Sequence, residues 1–277
     1  MNIDALPYTA YLLLSELAVG SLLVLLLADA RGHVERSYVK YCAAQTAVVA
    51  LLTLPLARWV ASGDVAAGYA VRGSGFDAAW VLFVPFSAAA LAYAGLTLAG
   101  RRPAALAAGA GGAATGVAGL AWLAFALSPP TWGFPGVFLS VATAALALGG
   151  VTLAMVLGHW YLVTPRLPNR PLNELTVVAL GALALQGAVL IVNVALPVRE
   201  TPDVAAVLGS GLAANPALWL RVGVGLIFAA TLTWMAHLSS REHAMMSATG
   251  LLYIAMGSVM AGEVLARGVL FVTAVPV

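Results

Sequence analysis

Long uninterrupted apolar runs constrain this chain more than any other feature. Runs of about 20 residues recur along all 277 residues, and this is the length that a helix needs to cross the hydrocarbon core of a bilayer. The runs are continuous rather than alternating, which favours helices over the strands of a membrane barrel. Only 9% of the residues are charged, against about 25% in a soluble domain. The sequence therefore predicts an all-α, polytopic membrane helix bundle.

Eight such runs are separated by short polar segments in which Pro and Gly mark turns. The predicted helices cover residues 8–28, 40–60, 78–99, 104–127, 137–163, 173–198, 216–237 and 246–272. No segment between them is long enough to form a soluble domain, so we expect a single transmembrane domain over residues 1–277. Helix four is rich in Gly and Ala, which favours close packing against its neighbours.

Basic residues are distributed unevenly between the loops on the two sides of the predicted bundle. Cytoplasmic loops carry the excess of Lys and Arg in membrane proteins. The odd-numbered loops hold Arg31, Arg36, Lys40, Arg101, Arg102, Arg166, Arg170 and Arg241, whereas the even-numbered loops hold Arg58, Arg72, Arg199 and Arg221. We therefore expect the odd-numbered loops in the cytoplasm and both termini outside, as a multi-pass protein of a bacterial inner membrane with periplasmic termini.

Two charges interrupt the middle of the last apolar run. Glu263 and Arg267 are four residues apart, so they share one face of a helix. A charge at the centre of a membrane helix costs about 2.5 to 3.5 kcal/mol on insertion scales, and such charges usually face a bundle interior, a cavity or a partner. The pair is either part of a functional site or a structural ion pair that fixes helix packing.

Three more polar residues fall at the same predicted depth. Glu16 lies in helix one, Asn193 in helix six and Arg221 in helix seven. Together with Glu263 and Arg267 they predict a polar pocket that opens toward the outer face. A lone intramembrane carboxylate such as Glu16 is typical of a functional site, whereas Arg221 alone is typical of an interfacial anchor and Asn193 of a hydrogen bond between helices.

The four histidines lie at or near the predicted cytoplasmic helix ends. A haem b needs axial ligands from facing helices, and His159 with His237 or His243 is the candidate pair. His159 could instead contact a quinone headgroup, or belong to an aromatic belt with Trp160 at the level of the lipid headgroups. The sequence leaves these three possibilities open.

Cysteine content and charge exclude several classes of function. Cys42 is the only cysteine, so any iron–sulfur or molybdenum chemistry would come from another chain, and no metal ligands are expected here. The net charge of +2 gives no reason to expect a nucleic acid partner. The expected surroundings are membrane lipid and other protein subunits.

Three segments resemble one protein family. AGEVLARGVLFV at 261–272 is similar to the last of eight helices in membrane anchor subunits of the dimethyl sulfoxide reductase and polysulfide reductase (NrfD-like) type, in which Gly-Glu is followed four residues later by Arg-Gly. SELAVGSLLVLLLAD at 15–29 resembles the family's first helix, and LWLRVGVGLIFAATL at 218–232 resembles its seventh. The family also carries a histidine near the outer end of helix two, where this chain has Arg58 and Trp59 instead.

The resemblance implies the membrane anchor of a respiratory oxidoreductase complex, either non-catalytic or quinol-oxidising. Such an anchor binds menaquinone or ubiquinone near the periplasmic face. It exchanges electrons with an iron–sulfur subunit docked there, which serves a molybdenum-type catalytic subunit. Glu263 or Glu16 would accept the quinol proton, and the implied cofactor contacts are Arg267, Arg221, Asn193, Arg58 and His159.

Two other functions stay open. The charges of Glu16, Glu263 and Arg267 could form the site of a small-solute or proton transporter, although the sequence shows no internal repeat or paired broken helices of the kind found in secondary transporters. A membrane electron carrier that binds haem b through His159 is the third possibility.

Overall fold

The computed structural model describes residues 5–60, 65–66, 69–72, 75–164, 167–198 and 212–277. Within these residues eight helices are long and apolar enough to cross a membrane. They are α1 (Leu6–Arg31), α2 (Arg36–Val60), α3 (Gly75–Leu98), α4 (Arg102–Leu127), α5 (Phe134–Val163), α6 (Arg170–Ala195), α7 (Pro216–Arg241) and α8 (Met245–Thr273). The predicted all-α bundle is confirmed, and every predicted helix end lies within four residues of the observed one.

The two longer loops, after α2 and α6, lie mostly outside the described residues, as do Arg166 and Arg199. In the first of these loops β1 (Val65–Ala66) pairs antiparallel with β2 (Tyr69–Ala70). The buried Tyr69 hydroxyl donates to the carbonyl of Leu127 at 2.6 Å, which fixes this short hairpin to the end of α4. The arrangement places the hairpin at the end of the bundle that the charge distribution predicts to be periplasmic.

α5 is the most enclosed span, and α1 and α8 are the next most enclosed. α5 packs against α1, α6 and α8, while α7 packs against α8 and α6, and α3 and α4 form a pair on the other side of α1. A side chain at Gly149 of α5 would collide with the backbone of Gly20 on α1, so glycine allows these two helices to touch. Five helices, α1, α5, α6, α7 and α8, consequently surround one interior.

The glycines of α4 also serve close packing, as the composition of that helix predicts. A β-carbon at Gly116 would lie 2.8 Å from the ring of Phe86 on α3 and 2.9 Å from Val19 on α1. Gly112 faces the same two helices, with Leu22 at 3.0 Å. Small residues therefore bring α4 close to both neighbours.

The seventh span changes its hydrogen-bonding pattern along its length. Pro216–Leu220 and Ala229–Arg241 are α-helical, whereas Arg221–Phe228 between them is π-helical. π-helical turns are rare and frequently occur at functional sites. Arg221 is the first residue of this turn, so the irregular backbone begins at one of the charges singled out in the sequence.

The chain turns back over the bundle after α8. Ala274 has a left-handed φ of 59°, which redirects the backbone at the end of the helix. Val275 and Val277 are then buried in the same apolar cluster as Leu17 of α1 and Leu218 of α7. The segment 274–277 therefore covers one end of the interior that α1, α5, α6, α7 and α8 enclose.

Candidate functional site: a buried charge quartet

Four charged side chains from three helices meet inside the bundle. Arg267 Nη2 lies 2.9 Å from Glu16 Oε1 and 3.3 Å from Glu263 Oε2, and Arg221 Nη2 lies 2.9 Å from Glu263 Oε1. The order of contacts is Glu16, Arg267, Glu263, Arg221, with the sign of the charge alternating at every step. We call these four residues the charge quartet.

Two neutral side chains extend the quartet to α5 and α6. Gln186 Nε2 donates to Glu263 Oε1 at 2.7 Å, and Arg267 Nη1 donates to Ser140 Oγ at 3.4 Å. Glu263 therefore receives contacts from α6, α7 and α8. Through these six residues the site connects all five helices that surround the interior.

All four charged side chains are fully buried, with 0% of their surface exposed. Taking an ion out of water costs several kcal/mol even after the protein relaxes, and close opposite charges repay this only when the geometry is good. Two carboxylates and two guanidinium groups sum to zero charge when all are ionised. The quartet therefore compensates its own charge and needs no external counter-ion.

Many polar atoms of this site have no hydrogen-bond partner among the described residues, although they are buried. Both carboxylate oxygens of Glu16, all three nitrogens of the Arg221 guanidinium group, Nε of Arg267 and Oε1 of Gln186 lack one. Arg221 and Glu16 are thus within ion-pair distance of their partners without the directed geometry of a hydrogen bond. Native proteins leave few buried polar atoms unpaired, and such groups concentrate at functional positions.

Two hydroxyl groups on α1 are also buried polar groups. Tyr11 and Ser15 are completely buried, and neither hydroxyl has a hydrogen-bond partner among the described residues of the other helices. They are four residues apart, so they lie on the same face of α1, and Ser15 directly precedes Glu16. Buried polar groups therefore continue from the quartet toward the beginning of α1.

Glycine brings α7 and α8 together beside the quartet. A β-carbon at Gly225 would lie 2.6 Å from Cα of Gly262 and 2.9 Å from Nη1 of Arg221. Gly225 belongs to the π-helical turn and Gly262 directly precedes Glu263. The contact between these two glycines therefore sets the separation of Arg221 and Glu263.

Asn193 is not a member of the quartet. It binds the C-terminal segment 274–277, which we call the covering segment. Its Nδ2 donates to the carbonyl of Pro276 at 2.6 Å and to that of Gly136 at 3.1 Å, and its Oδ1 accepts from Nε1 of Trp132 at 2.9 Å. The sequence predicts a pocket that opens toward the outer face, but the observed site is closed. The close approach of α7 to α8 and the buried segment 274–277 are the physical reasons.

Two predicted cofactor contacts lie away from the quartet. Arg58, at the end of α2, is exposed, and its guanidinium carbon lies 5.6 Å from the centre of the Trp80 ring. His159 lies near the opposite end of the bundle, where its Nδ1 is 3.1 Å from the hydroxyl of Tyr253. Ser140 and His159 are both on α5 and are 19 residues apart, which at 1.5 Å per residue is about 28 Å.

His159 lines an open cavity of about 390 Å³ together with Tyr41, Trp160 and Tyr253. The linings of this cavity and of three others on the described part of the chain contain no quartet member. The histidines proposed as a haem pair have separate partners, since His237 Nδ1 lies 2.9 Å from Thr176 Oγ1. Among the described residues no group of three or more His, Cys, Asp or Glu side chains is placed to hold a metal ion.

Sequence reasoning identified every charge of the quartet but not Ser140, Ser15 or Tyr11 beside it. Serine and tyrosine occur in many membrane helices as ordinary packing residues, so these three carry no local signal that distinguishes them. Only the i, i+4 spacing of Glu263 and Arg267 indicates a contact from sequence, and the structure confirms that contact at 3.3 Å.

Comparisons with protein-family models, with curated proteins and with solved structures find no significant match for this chain. The geometry of the site is therefore the basis for any functional conclusion.

Proposed function

We propose that this chain is the quinone-binding membrane subunit of a respiratory oxidoreductase, and that the charge quartet takes up the protons of a quinol. The observation that carries this proposal is the burial of four charges from three membrane helices at one place. Ionisable residues inside membrane proteins are expensive to keep and mark proton relays or ligand sites. The resemblance of 261–272 to the last helix of NrfD-like anchors points in the same direction.

The unpaired atoms of the site suit the two oxidation states of such a ligand. A quinol hydroxyl is a hydrogen-bond donor, and Oε2 of Glu16 is a buried acceptor that faces no donor among the described residues. A quinone carbonyl is an acceptor, and Nε and Nη1 of Arg221 are buried donors that face no acceptor among them. Hydrogen bonds to ionised groups are the stronger kind, so these atoms can distinguish and orient the two forms.

A bound quinol supplies two electrons and two protons when it is oxidised. Glu263 or Glu16 would accept the two protons one after the other on a carboxylate oxygen, as the general base for each quinol hydroxyl. Protonation of one carboxylate leaves the quartet with a net charge of +1, which disfavours a further positive charge in the same interior and favours release of the proton. The released proton would pass Ser15 and Tyr11, which lie between Glu16 and the beginning of α1. The electrons would pass to an iron–sulfur subunit at the same end of the bundle.

Access to the quartet requires the closed interior to open. Two features bound it on the outer side: the segment 274–277, which Asn193 holds by one 2.6 Å hydrogen bond to Pro276, and the π-helical turn that starts at Arg221. We infer that a quinone headgroup enters when one of these moves. Replacing Asn193 with Ala removes that hydrogen bond and should raise the rate of quinone binding.

The complete burial of the quartet also fits one other function, that of a proton transporter. A proton transporter needs a buried charged site that exchanges protons without contact with a ligand, and four completely buried charges also fit that role. In that case the chain by itself would carry protons across a liposome membrane. A quinone-binding subunit would instead bind quinone saturably and would need its electron-transfer partner for turnover.

The test is quinone binding and turnover with matched variants. Short-chain ubiquinone and menaquinone are titrated into the purified chain in lipid nanodiscs, with tryptophan fluorescence as the signal, and quinol oxidation is measured in the assembled complex. Glu263→Gln and Arg267→Ala should each lower turnover by about 100-fold, which is a typical contribution of one proton-transfer group. Glu35→Gln, which changes an exposed carboxylate at the other end of the bundle, is the control and should leave turnover unchanged.

Three results would overturn the proposal. The wild-type chain could fail to bind either quinone, both variants could turn over at the wild-type rate, or His159→Phe could abolish binding while Glu263→Gln leaves it intact. The last result would move the quinone to the His159 cavity at the opposite end. Proton flux through liposomes that contain the chain alone, abolished by Glu263→Gln, would establish the transporter instead.

A further inference from the structure

The seam between α6 and α7 carries a polar cavity at the end of the bundle opposite the covering segment. The cavity has a volume of about 370 Å³, within the range of small-ligand sites. Arg31 contributes from the last turn of α1, Arg170 and Asn173 from the first turn of α6, and His237 from the last turns of α7. Side chains from three helices therefore converge at the level where helices end and lipid headgroups begin.

The charge of this cavity favours an anion. Arg31 and Arg170 stand against one carboxylate, that of Glu174, which lies 2.9 Å from Arg170 Nε and 3.6 Å from Arg31 Nη1. Both guanidinium groups remain largely accessible, with 45% and 66% of their side-chain surface exposed, so most of their N–H groups can still donate. Basic pockets between membrane helices at this level bind anionic lipid headgroups.

An apolar groove continues from the cavity along the same two helices. It has a volume of about 380 Å³ and is lined by Leu180, Leu183, Ala184, Leu226, Ile227, Ala230 and Trp234. Val177 and Val178 lie in the floor of the polar cavity, and the ring of Trp234 stacks on that of His237 at 5.8 Å. These residues place the polar cavity and the apolar groove next to each other along α6 and α7.

The dimensions of the two parts fit one phospholipid. Arg170 and Ala184 are 14 residues apart on α6, about 21 Å at 1.5 Å per residue. Half of a bilayer, including its headgroup region, is about 20 to 22 Å thick, so a lipid with its phosphate beside Arg170 has an acyl chain that ends near the depth of Ala184. A free phosphate would use the polar cavity alone and would leave the groove unexplained.

We infer that an anionic phospholipid binds along the α6–α7 seam, with its phosphate beside Arg31 and Arg170 and one acyl chain in the Leu180–Trp234 groove. The site is independent of the charge quartet and of any quinone. It tethers α7, the helix that carries the π-helical turn, to α6 and to the end of α1. Loss of the lipid should therefore loosen α7 more than the other spans.

The experiment measures lipid binding to the intact chain by native mass spectrometry from detergent. Phosphatidylglycerol and phosphatidylcholine with identical acyl chains are compared, and phosphatidylglycerol should bind at least tenfold more tightly. Arg170→Gln and Arg31→Gln should each weaken phosphatidylglycerol binding by about tenfold, the equivalent of one charge-assisted hydrogen bond. Arg101→Gln, an exposed arginine at the same end of the bundle but outside the cavity, should leave the affinity unchanged.

Two further variants separate this site from a structural effect and from a free phosphate. Glu174→Gln removes the only carboxylate among the described residues that line the cavity and should tighten phosphatidylglycerol binding severalfold, whereas damage to the fold would weaken it. Ala184→Phe fills the groove and should weaken binding, while Leu185→Phe, exposed on α6 outside the groove, should not.

The inference is overturned if the two lipids bind equally, if Arg170→Gln behaves like Arg101→Gln, or if Glu174→Gln weakens binding. It is also overturned if millimolar inorganic phosphate displaces the lipid from the wild-type chain while Ala184→Phe has no effect. That last combination would identify the ligand as a free phosphate group rather than a phospholipid.

Discussion

Two regions of this bundle place a buried carboxylate between two arginines, and their surroundings differ. Asp29, at the end of α1, is completely buried, but its partners Arg36 and Arg102 each expose 43% of their side chains. Both Asp29 oxygens accept hydrogen bonds, one from Arg36 and one from Tyr93 at 3.0 Å. In the charge quartet the carboxylates and the arginines are all fully buried.

The two regions differ in whether their guanidinium groups reach water. Arg36 and Arg102 extend from the ends of their helices and keep part of the guanidinium group in water, so only one charge at Asp29 is desolvated. Arg221 and Arg267 project from within membrane spans, where four charges must be desolvated together. Among the described residues the cluster of Asp29, Arg36 and Arg102 leaves one buried atom without a hydrogen-bond partner, Nε of Arg102, whereas the quartet leaves six.

The largest effect should follow from removing one charge of the quartet. Glu263→Leu leaves Arg221 buried without a carboxylate, which should lower the free energy of unfolding by about 3 to 5 kcal/mol. Titration of the purified chain from mild detergent into sodium dodecyl sulfate measures this value. The double variant Arg221→Met/Glu263→Leu removes both members of the pair and should recover most of the loss. A single-variant cost below about 1 kcal/mol would mean that Arg221 reaches water, and the contrast with Asp29 would fail.

A smaller effect is expected at Asp29. Asp29→Asn removes the charge, but Arg36 and Arg102 can turn to water and the amide still accepts a bond from Tyr93. The loss should be about 1.5 to 3 kcal/mol, the usual contribution of hydrogen bonds to a charged group. The same unfolding measurement applies, with the exposed Glu35→Gln as the control, expected within about 0.5 kcal/mol of the wild type. A loss equal to that of Glu263→Leu would erase the distinction between the two regions.

The spacing of α7 and α8 gives a third way to test the comparison. Gly225→Ala places a methyl group 2.6 Å from Cα of Gly262 and must push the helices apart, at a cost of about 1 to 3 kcal/mol for overpacking. It should also separate Arg221 from Glu263. Gly223→Ala, in the same π-helical turn but with no atom within 4 Å, is the matched control and should change stability little. Equal stability of the two variants would show that the glycine contact does not position the quartet.

The smallest effect concerns Glu35, an exposed carboxylate between α1 and α2. Hydrogen bonds from Ser37 and, at 2.9 Å, from Trp160 Nε1 hold the pKa of Glu35 below its usual value. A lowered carboxyl pKa adds stability above the unfolded-state pKa, and this stability is lost as the pH falls through the folded-state pKa. Trp160→Phe should raise the pKa of Glu35 toward its ordinary value, as measured by carboxyl-carbon NMR titration. An unchanged pKa would assign the whole effect to Ser37.

The sequence alone determined the number of spans, their approximate ends and the identity of the four charges in the quartet. These properties are local, because the hydropathy of a segment and the turns formed at proline or glycine depend on neighbours in the sequence and not on tertiary contacts. The i, i+4 contact of Glu263 with Arg267 was predictable for the same reason, since helix geometry places those two side chains together.

Tertiary structure decided how the charges are paired and whether water can reach them. Glu16 and Arg267 are 251 positions apart in the sequence, and no local pattern links them or predicts the π-helical turn at Arg221. Asn193 and Arg221 have similar predicted depths, yet one holds the covering segment and the other joins the quartet, because their helices face different neighbours. Closure of the site also depends on which backbones touch, at Gly225 with Gly262, and that contact exists only after the helices have packed.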